Sequence, residues 1–202
     1  YEEIDPVRFI GNHSSGKMGY AIAEAFLNQG ARVTLISGPT KLELKRRNLT
    51  LIPIKSALEL LNEVQLNWKN AEIGVFSAAV ADYRPKEKAT EKIKKSDEEM
   101  TIALVKNPDV LKWAGENKTA DQTLVGFALE TENLEENAKG KLKAKHLNMI
   151  VMNTMKDIGA GFGVDTNKIS ILDNYNNFKT FELKSKREVA EDILTYLKNY
   201  NS

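Results

Sequence analysis

The residues best suited to chemistry crowd into one stretch, 5–20, which reads Asp-Pro-Val-Arg-Phe-Ile-Gly-Asn-His-Ser-Ser-Gly-Lys-Met-Gly-Tyr. Arg8 and Asn12 supply a cation and an amide, Ser14 and Ser15 supply hydroxyls, and Gly16 and Gly19 remove side-chain bulk. Such a set is too polar for a core. Ser14 or Ser15 is predicted to cap a helix whose apolar stripe follows at Met18, Ala21, Ile22, Ala25 and Phe26. The unpaired amides of that first turn would then favour an anion, and Gly16 and Gly19 would let a phosphate approach the backbone. Ser14, Ser15 and Gly16 are therefore candidate anion contacts, although Ser-Ser-Gly before a helix can also be a simple cap. Ser-Gly-Lys lacks the Gly-x-x-x-x-Gly-Lys-Ser/Thr spacing of a P-loop, which excludes that reading.

Two further polar constellations follow apolar runs of strand length. One is Ala81-Asp82-Tyr83-Arg84-Pro85 after Ile73–Val80, and the other is Glu130-Thr131 after Thr123–Ala128. In an open parallel sheet, ligands bind beyond the carboxyl ends of strands, which makes both junctions candidate sites. Asp82 could hold ribose hydroxyls and Phe127 could stack on a base, although a Phe in an apolar strand is core most of the time. Cations come from two places. Glu91-Lys92-Ile93-Lys94-Lys95 lies in a charged segment, 86–99, that reads as a solvated loop able to close on phosphates. On the helix predicted from about Leu134 to Lys145, Leu134, Ala138 and Leu142 form the buried line; Lys141 and Lys145 border it on one side, Lys139 and Lys143 on the other. The helical wheel does not choose between these pairs.

The elements that must position these residues alternate along the chain. The first helix should end near Gly30, and strands follow at 32–37 and at 49–54. Ser56 caps a helix with Leu58, Leu61, Val64 and Leu66 on its apolar face, and Met100–Val105 has the alternation of a half-buried strand. Asn107-Pro108-Asp109 opens a helix through Val110, Leu111 and Trp113. Met149–Met152 is another strand, 159–167 a glycine-rich loop, and Ile169–Leu172 with Asn177–Leu183 a hairpin about Asp173-Asn174. Ser185 caps a closing helix carrying Val189, Ile193, Leu194 and Leu197. This pattern predicts a single α/β domain over residues 1–202: a three-layer, mostly parallel Rossmann-like sheet with a C-terminal β-hairpin.

Composition narrows the chemistry. The 202 residues, 42% hydrophobic, can bury one sizeable core. Lys and Arg total 29 against 28 Asp and Glu, so whole-molecule attraction to nucleic acid or anionic membrane is not expected. The absence of cysteine excludes disulfides and thiolate chemistry and fits a cytoplasmic protein. His13 and His146 are too far apart in sequence to suggest a histidine metal site or triad. No apolar run is long enough to span a membrane. The chain opens on Tyr1-Glu2-Glu3, and a fragment of a longer polypeptide is expected.

A nicotinamide-dependent oxidoreductase is one function such a sheet could serve. Against it, no Gly-x-Gly-x-x-Gly joins a strand to a helix, and Gly38-Pro39 follows Ser37 where a ribose-binding acid is wanted. A non-catalytic nucleotide-binding module is the second alternative.

Five segments together carry a resemblance: Asp5–Gly19, Ala78-Ala-Val-Ala-Asp-Tyr-Arg84, Glu91–Lys95, Lys106-Asn-Pro-Asp109 and Val125-Gly-Phe-Ala-Leu-Glu-Thr131. In order and wording they resemble the successive motifs of phosphopantothenoylcysteine synthetase, across nearly the whole chain. The bacterial form of that family is commonly the second half of a bifunctional coenzyme A biosynthesis flavoprotein, so the resemblance implies a possible fusion to a flavin-dependent decarboxylase domain. It also implies a homodimer, and a strand with a glycine-rich turn preceding the present Tyr1.

The implied reaction has two halves. The carboxylate of 4′-phosphopantothenate attacks the α-phosphate of CTP, giving an acyl-cytidylate and pyrophosphate; the amine of cysteine then displaces CMP. By resemblance Asn12 is catalytic, orienting the acyl carbonyl and donating to the oxyanion. Arg8 and Ala78 would contact the intermediate or its phosphate, and Lys92 would bind its charge from a closing loop. The resemblance places CTP on Phe76, Ser77, Ala78, Asp82, Pro108, Asp109, Val110, Leu111 and Phe127, with Lys141 and Lys145 as the chosen lysine pair. Magnesium would ride on triphosphate oxygens, with no protein ligand named.

Overall fold

The structure, a computed structural model, describes residues 1–94, 99–129, 134–153 and 163–200. Lys95, Glu130, Thr131 and residues 159–162 lie outside the described residues, as does the side chain of Leu134.

Two short strands open the chain, β1 (Glu2–Glu3) and β2 (Phe9–Ile10), paired antiparallel. Helix α1 (Lys17–Asn28) follows, then β3 (Val33–Ser37) and β4 (Leu49–Pro53), paired parallel. Helix α2 (Ala57–Asn67) leads through a 3-10 turn to β5 (Ile73–Phe76). An antiparallel arm, β6 (Tyr83–Pro85) with β7 (Leu104–Lys106), precedes α3 (Val110–Glu116), β8 (Thr123–Leu129), α4 (Leu134–Ala144) and β9 (Met149–Asn153). The chain ends with β10 (Thr166–Asn167), β11 (Ile169–Asp173), β12 (Phe178–Thr180), β13 (Lys184–Ser185) and α5 (Lys186–Tyr200).

The central sheet has five strands in the order β12-β11-β9-β8-β5. Strands β5, β8 and β9 run parallel, while β9–β11 and β11–β12 are antiparallel, so the predicted C-terminal hairpin is an integral edge of the sheet. Among the described residues β3 pairs only with β4 and β5 only with β8, so each leaves an edge without a strand partner.

The central strands are apolar on successive residues because both faces are covered. On β9, Met149 and Val151 join Val125, Ile169 and Ile171 in a core against α1 and α5; Ile150 and Met152 join Leu124, Ala128 and Leu172 against α2, α3 and α4. Three layers result, as the alternation of elements predicts. Ile171 is fully buried between β9 and α5. Ile171→Ala should lower unfolding free energy by about 2–5 kcal/mol, measured by urea denaturation, because the surrounding layers cannot close on the void.

Several local expectations shift. Ser14 and Ser15 do not cap α1: Gly16 is its N-cap, with φ of 76°, and no side chain caps the helix. A left-handed backbone at that position is one glycine adopts without penalty, which explains why the hydroxyls stand one step too early. On α2 the buried face is Ala57, Leu60 and Val64, whereas Leu58 and Leu66 are exposed. The strand expected at Met100–Val105 is only Leu104–Lys106, and Met100 is exposed. By contrast, Ser56 caps α2 through the Glu59 amide, Asp109 caps α3 through the Lys112 amide, and the Ser185 hydroxyl accepts from the Glu188 amide at the start of α5.

Candidate active site

The start of α1 is the point where loops from several strands meet. The Thr40 hydroxyl, just after β3, donates to the Ser15 carbonyl at 3.1 Å. A Cβ on Gly19 would lie 3.1 Å from the Ser77 hydroxyl oxygen, just past β5, so glycine here lets the helix start sit close over that strand end. Lys17 pairs with Asp165 at 2.6 Å, adding the loop before β10. The first-turn amides thus face the carboxyl ends of parallel strands, where they have neither a side-chain cap nor an acidic residue in the first turn.

Asn12 is exposed, and its amide Nδ2 donates to the carbonyls of Val80 at 3.1 Å and Ala79 at 3.3 Å. That pair of bonds joins the motif around α1 to the motif after β5. Ala78 is exposed beside it, and the Asp82 carboxylate is exposed with no hydrogen bond among the described residues.

Arg8 is held by Asp5. One Asp5 oxygen accepts from the amides of Val7 and Arg8, both at 2.8 Å; the other accepts from Arg8 Nε at 2.9 Å and Nη2 at 2.5 Å. The same carboxylate accepts from the Ile93 amide at 3.2 Å, and Arg8 Nη2 donates to the Ile93 carbonyl at 3.0 Å. Lys92, immediately before Ile93, is therefore brought beside Arg8, exposed and without a partner among the described residues. Arg8, Asn12, Ala78 and Lys92 thus belong to one set of interlocked loops. Two cavities, of about 550 and 370 Å³, lie away from this set.

Asp5 is only 1% exposed. The Arg8 guanidinium chiefly, with the amides of Val7, Arg8 and Ile93, holds its carboxyl far below the ordinary value of 3.8, against the opposing effect of burial. A depressed folded-state pKa means that the unfolded chain binds the proton first as pH falls. The stabilisation is complete above the unfolded value and is lost on acidification below it. Asp5→Asn should therefore be less stable than the parent near neutrality but lose less stability between about pH 5 and pH 3, in urea titrations across that range.

A second set gathers the predicted nucleotide residues. Lys145 pairs with Asp109 at 2.8 Å, placing the end of α4 against the start of α3. Burial pushes the Asp109 carboxyl up, but Lys145 and the Lys112 amide outweigh it and hold it below its ordinary value. The approach is tight: a Cβ on Gly115 would stand 1.9 Å from the Lys145 carbonyl oxygen, so only glycine fits. Lys139 pairs instead with Glu135, and both Lys139 and Lys143 line the larger cavity beside His146. The two lysine borders of α4 thus serve different surroundings, and Lys141 shares the border of Lys145.

Some predicted contacts are core residues. Phe76 stacks edge-on against Trp68, with ring centroids 6.4 Å apart, and Leu111 fills the space above Gly126. Val110 is 4% exposed, and Phe127 is half-buried against the α1–α5 core. Pro108 is half-buried one residue before the Asp109 cap.

Residues 1–200 match the family described as DNA/pantothenate metabolism flavoprotein, C-terminal domain. The chain belongs to that family. A Bacillus subtilis (strain 168) relative named coenzyme A biosynthesis bifunctional protein CoaBC is 45% identical over 96% of this chain and 47% of its own length. A protein from an unknown prokaryotic organism, named cysteine/cysteine sulfinic acid decarboxylase, is 47% identical over 96% of this chain and 54% of its own. The chain spans about half the length of these curated relatives. A crystal structure of the C-terminal domain of CoaBC superposes with a TM-score of 0.82 at 40% identity, covering 98% of this chain and 89% of that one. The resemblance carried by the five motifs is thereby shown.

In this member of the flavoprotein C-terminal family, sequence reasoning overlooked Asp5, Glu2 and Asn107 as organisers of the site. Glu2 and Asn107 are buried; Glu2 accepts from the Ala57 amide at 2.8 Å and from Asn107 Nδ2 at 3.1 Å. Asn107 also donates to the Ala81 carbonyl at 2.8 Å and accepts from Arg84 at 3.2 Å, fixing the turn that carries Asp82. For Asp5 and Asn107 the available signal was their place within motifs otherwise read for ligand contact; Glu2 lies before the first motif and carried none.

Proposed function

We propose that the chain is a CTP-dependent ligase joining 4′-phosphopantothenate to L-cysteine in coenzyme A biosynthesis. The observation that carries this reading is the interlocking of Asn12 with the turn at Ala79–Val80 and of Arg8 with Ile93, in a family whose relatives are named for coenzyme A biosynthesis.

In the first half-reaction a substrate carboxylate oxygen bonds to the α-phosphorus of CTP while the bond to the bridging oxygen breaks, releasing pyrophosphate. In the second, the cysteine amine bonds to the acyl carbon, loses a proton, and CMP leaves with the electron pair. A carboxylate is a poor acyl donor, so the nucleotide supplies the leaving group, and the protein supplies position and charge. Arg8, oriented by Asp5, and Lys92 face the negative charge of the acyl-cytidylate. Asn12 meets its carbonyl by exchanging the longer of its two backbone bonds, that to Ala79, for the developing oxyanion. The half-buried Phe127 offers a base-stacking edge, Asp82 takes ribose hydroxyls, and Lys141 and Lys145 take phosphates. Ser14, Ser15, Gly16, Ser77 and Ala78 border the space between the start of α1 and the end of β5.

Magnesium fits as a passenger of the nucleotide. Among the described residues no group of three or more acids or histidines converges, and Asp5 and Asp109 are each committed to a cationic side chain. Magnesium readily keeps waters and phosphate oxygens as ligands, so it would neutralise the triphosphate without a protein cage.

Relatives of about twice the length, one named bifunctional, support a partner domain beside this chain, flavin-dependent and decarboxylating by family resemblance. A homodimer fits the exposed Val7, Phe9, Tyr83 and Leu104 of the β1–β2 hairpin and the β6–β7 arm. No helix among the described residues is long and apolar enough to cross a membrane, and a cytoplasmic setting is proposed.

Thermal shift against CTP, ATP, UTP and NAD, paired with a pyrophosphate assay containing magnesium, phosphopantothenate and cysteine, tests the reading. CTP at a hundredfold excess over its Kd should add about 2.7 kcal/mol of stability, with pyrophosphate released only when phosphopantothenate is present. Stabilisation by NAD alone would favour an oxidoreductase. Binding of CTP with no pyrophosphate would leave a nucleotide-binding module.

A further inference from the structure

We propose that Asp5 is a positioning residue for this reaction, fixing the loop that carries Lys92 onto the turn that carries Arg8. The proposal rests on the ligase reading above and concerns a residue that reading does not use in contact with substrate.

Among the described residues, Asp5 is the buried carboxylate shared by the two loops. Its oxygens accept from the Val7, Arg8 and Ile93 amides and from two nitrogens of the Arg8 guanidinium. Arg8 returns the grip by donating to the Ile93 carbonyl. Both backbone polar groups of Ile93 are thus held, one by each member of the pair. The Ile93 amide belongs to the peptide plane that begins at the Lys92 carbonyl, so the bond to Asp5 sets the backbone direction at Lys92 directly.

A second tether lies just upstream. The Ala89 amide donates to the Ile4 carbonyl at 2.9 Å, and Lys88 pairs with Glu3. Ala89 is tied to Ile4 while Ile93 is tied to the next residue, Asp5, so residues 90–92 must arch outward between the two anchors. Lys92 stands at the end of that arch beside Arg8. Apolar packing does not hold the loop there, because residues 90–94 are all exposed. The anchoring is polar, and on the Lys92 side Asp5 is its centre. A carboxylate is needed to satisfy all five donors, since an amide at this position would turn its NH2 either against the guanidinium and the Ile93 amide, which share one oxygen, or against the Val7 and Arg8 amides, which share the other.

The test compares Asp5→Asn and Ile93→Pro, the latter removing the Ile93 amide while leaving the Asp5–Arg8 pair intact. Each should lower kcat by about tenfold or more while changing the KM for CTP by less than about twofold, the split expected when a group acts in the transition state rather than in nucleotide binding. Combined with Lys92→Gln, Ile93→Pro should add little further loss, because both act through the same side chain while the Asp5–Arg8 pair stays intact. Amide exchange at Ile93 should accelerate in Asp5→Asn. Unchanged kcat in Ile93→Pro, or losses that multiply in the double variant, would overturn the proposal; Ile93→Pro decides if Asp5→Asn fails to fold. Should the parent release no pyrophosphate, the ligase reading fails, and Ile93 exchange alone then decides whether Asp5 holds the loop.

Discussion

Asn12→Asp should leave the enzyme able to activate phosphopantothenate but slow to finish, so that one equivalent of acyl-cytidylate and pyrophosphate accumulates per site. The Asn12 amide donates both of its hydrogens, to Val80 and Ala79. A carboxylate cannot donate, and it would sit against two carbonyl oxygens, pushing the turn at 79–80 away from α1. The acyl carbonyl then loses its donor at the moment the amine adds. Removing one preorganised oxyanion donor typically costs about 10²–10³ in turnover, and a loss of that size in the second half-reaction is expected. Rapid-quench measurement of pyrophosphate against amide product would show a burst of about one equivalent followed by turnover slowed by that factor. Parent-like turnover would remove Asn12 from catalysis.

Lys92→Gln should lower turnover by about 10²-fold while leaving CTP binding close to that of the parent, since a charge aimed at the activated intermediate acts where negative charge develops. Among the described residues the Lys92 ammonium has no carboxylate to neutralise it, so its charge is available to substrate. The substitution leaves the Ile93 backbone bonds in place, and folding stability should change by less than about 0.5 kcal/mol, as for most exposed positions. Isothermal titration with CTP and steady-state pyrophosphate release, measured on the same preparation, separate the two effects. A pure loss of nucleotide affinity would place Lys92 at the triphosphate.

Much of the fold was legible because its signals are local. The apolar runs at Thr123–Ala128 and Met149–Met152 read as buried strands and are strands, each one residue longer; the cap at Ser56 stands where a hydroxyl precedes a helix, and α3 opens at Asp109, within the expected Asn107-Pro108-Asp109 start. Where local patterns were degenerate the reading slipped. On α2 the expected face was Leu58, Leu61, Val64 and Leu66; Val64 and the partly buried Leu61 do pack with Leu60, Trp68 and Val110, while Leu58 and Leu66 stay exposed. Residues 100–105 alternate like a half-buried strand, yet among the described residues β7 pairs only with β6, in a separate two-stranded sheet, and Met100 and Leu104 stay exposed. The cap of α1 was misplaced because a left-handed glycine leaves no side-chain signal.

The site divides in the same way. The motifs that name ligand-facing residues could be read in order along the chain, whereas the groups that join them could not. Asp5 meets Ile93 across the β1–β2 hairpin and the arm, and Glu2 meets Asn107 and Ala57 from another direction. No periodicity records a hydrogen bond between residues so far apart. Lys145 was distinguished from Lys143 by resemblance alone; in the structure Lys145 meets Asp109 while Lys143 lines the cavity beside His146.

The reaction scheme depends on Asn12 and Lys92 facing one space, and the absence of native cysteine makes that directly measurable. A chain carrying only Asn12→Cys and Lys92→Cys can be treated with short bis-thiol-reactive linkers, with and without CTP, magnesium and phosphopantothenate, and mapped for links within and between subunits. Rapid linking that the substrates suppress is the predicted result. Failure to link within or between subunits, while each single-cysteine variant reacts freely, would contradict a shared site.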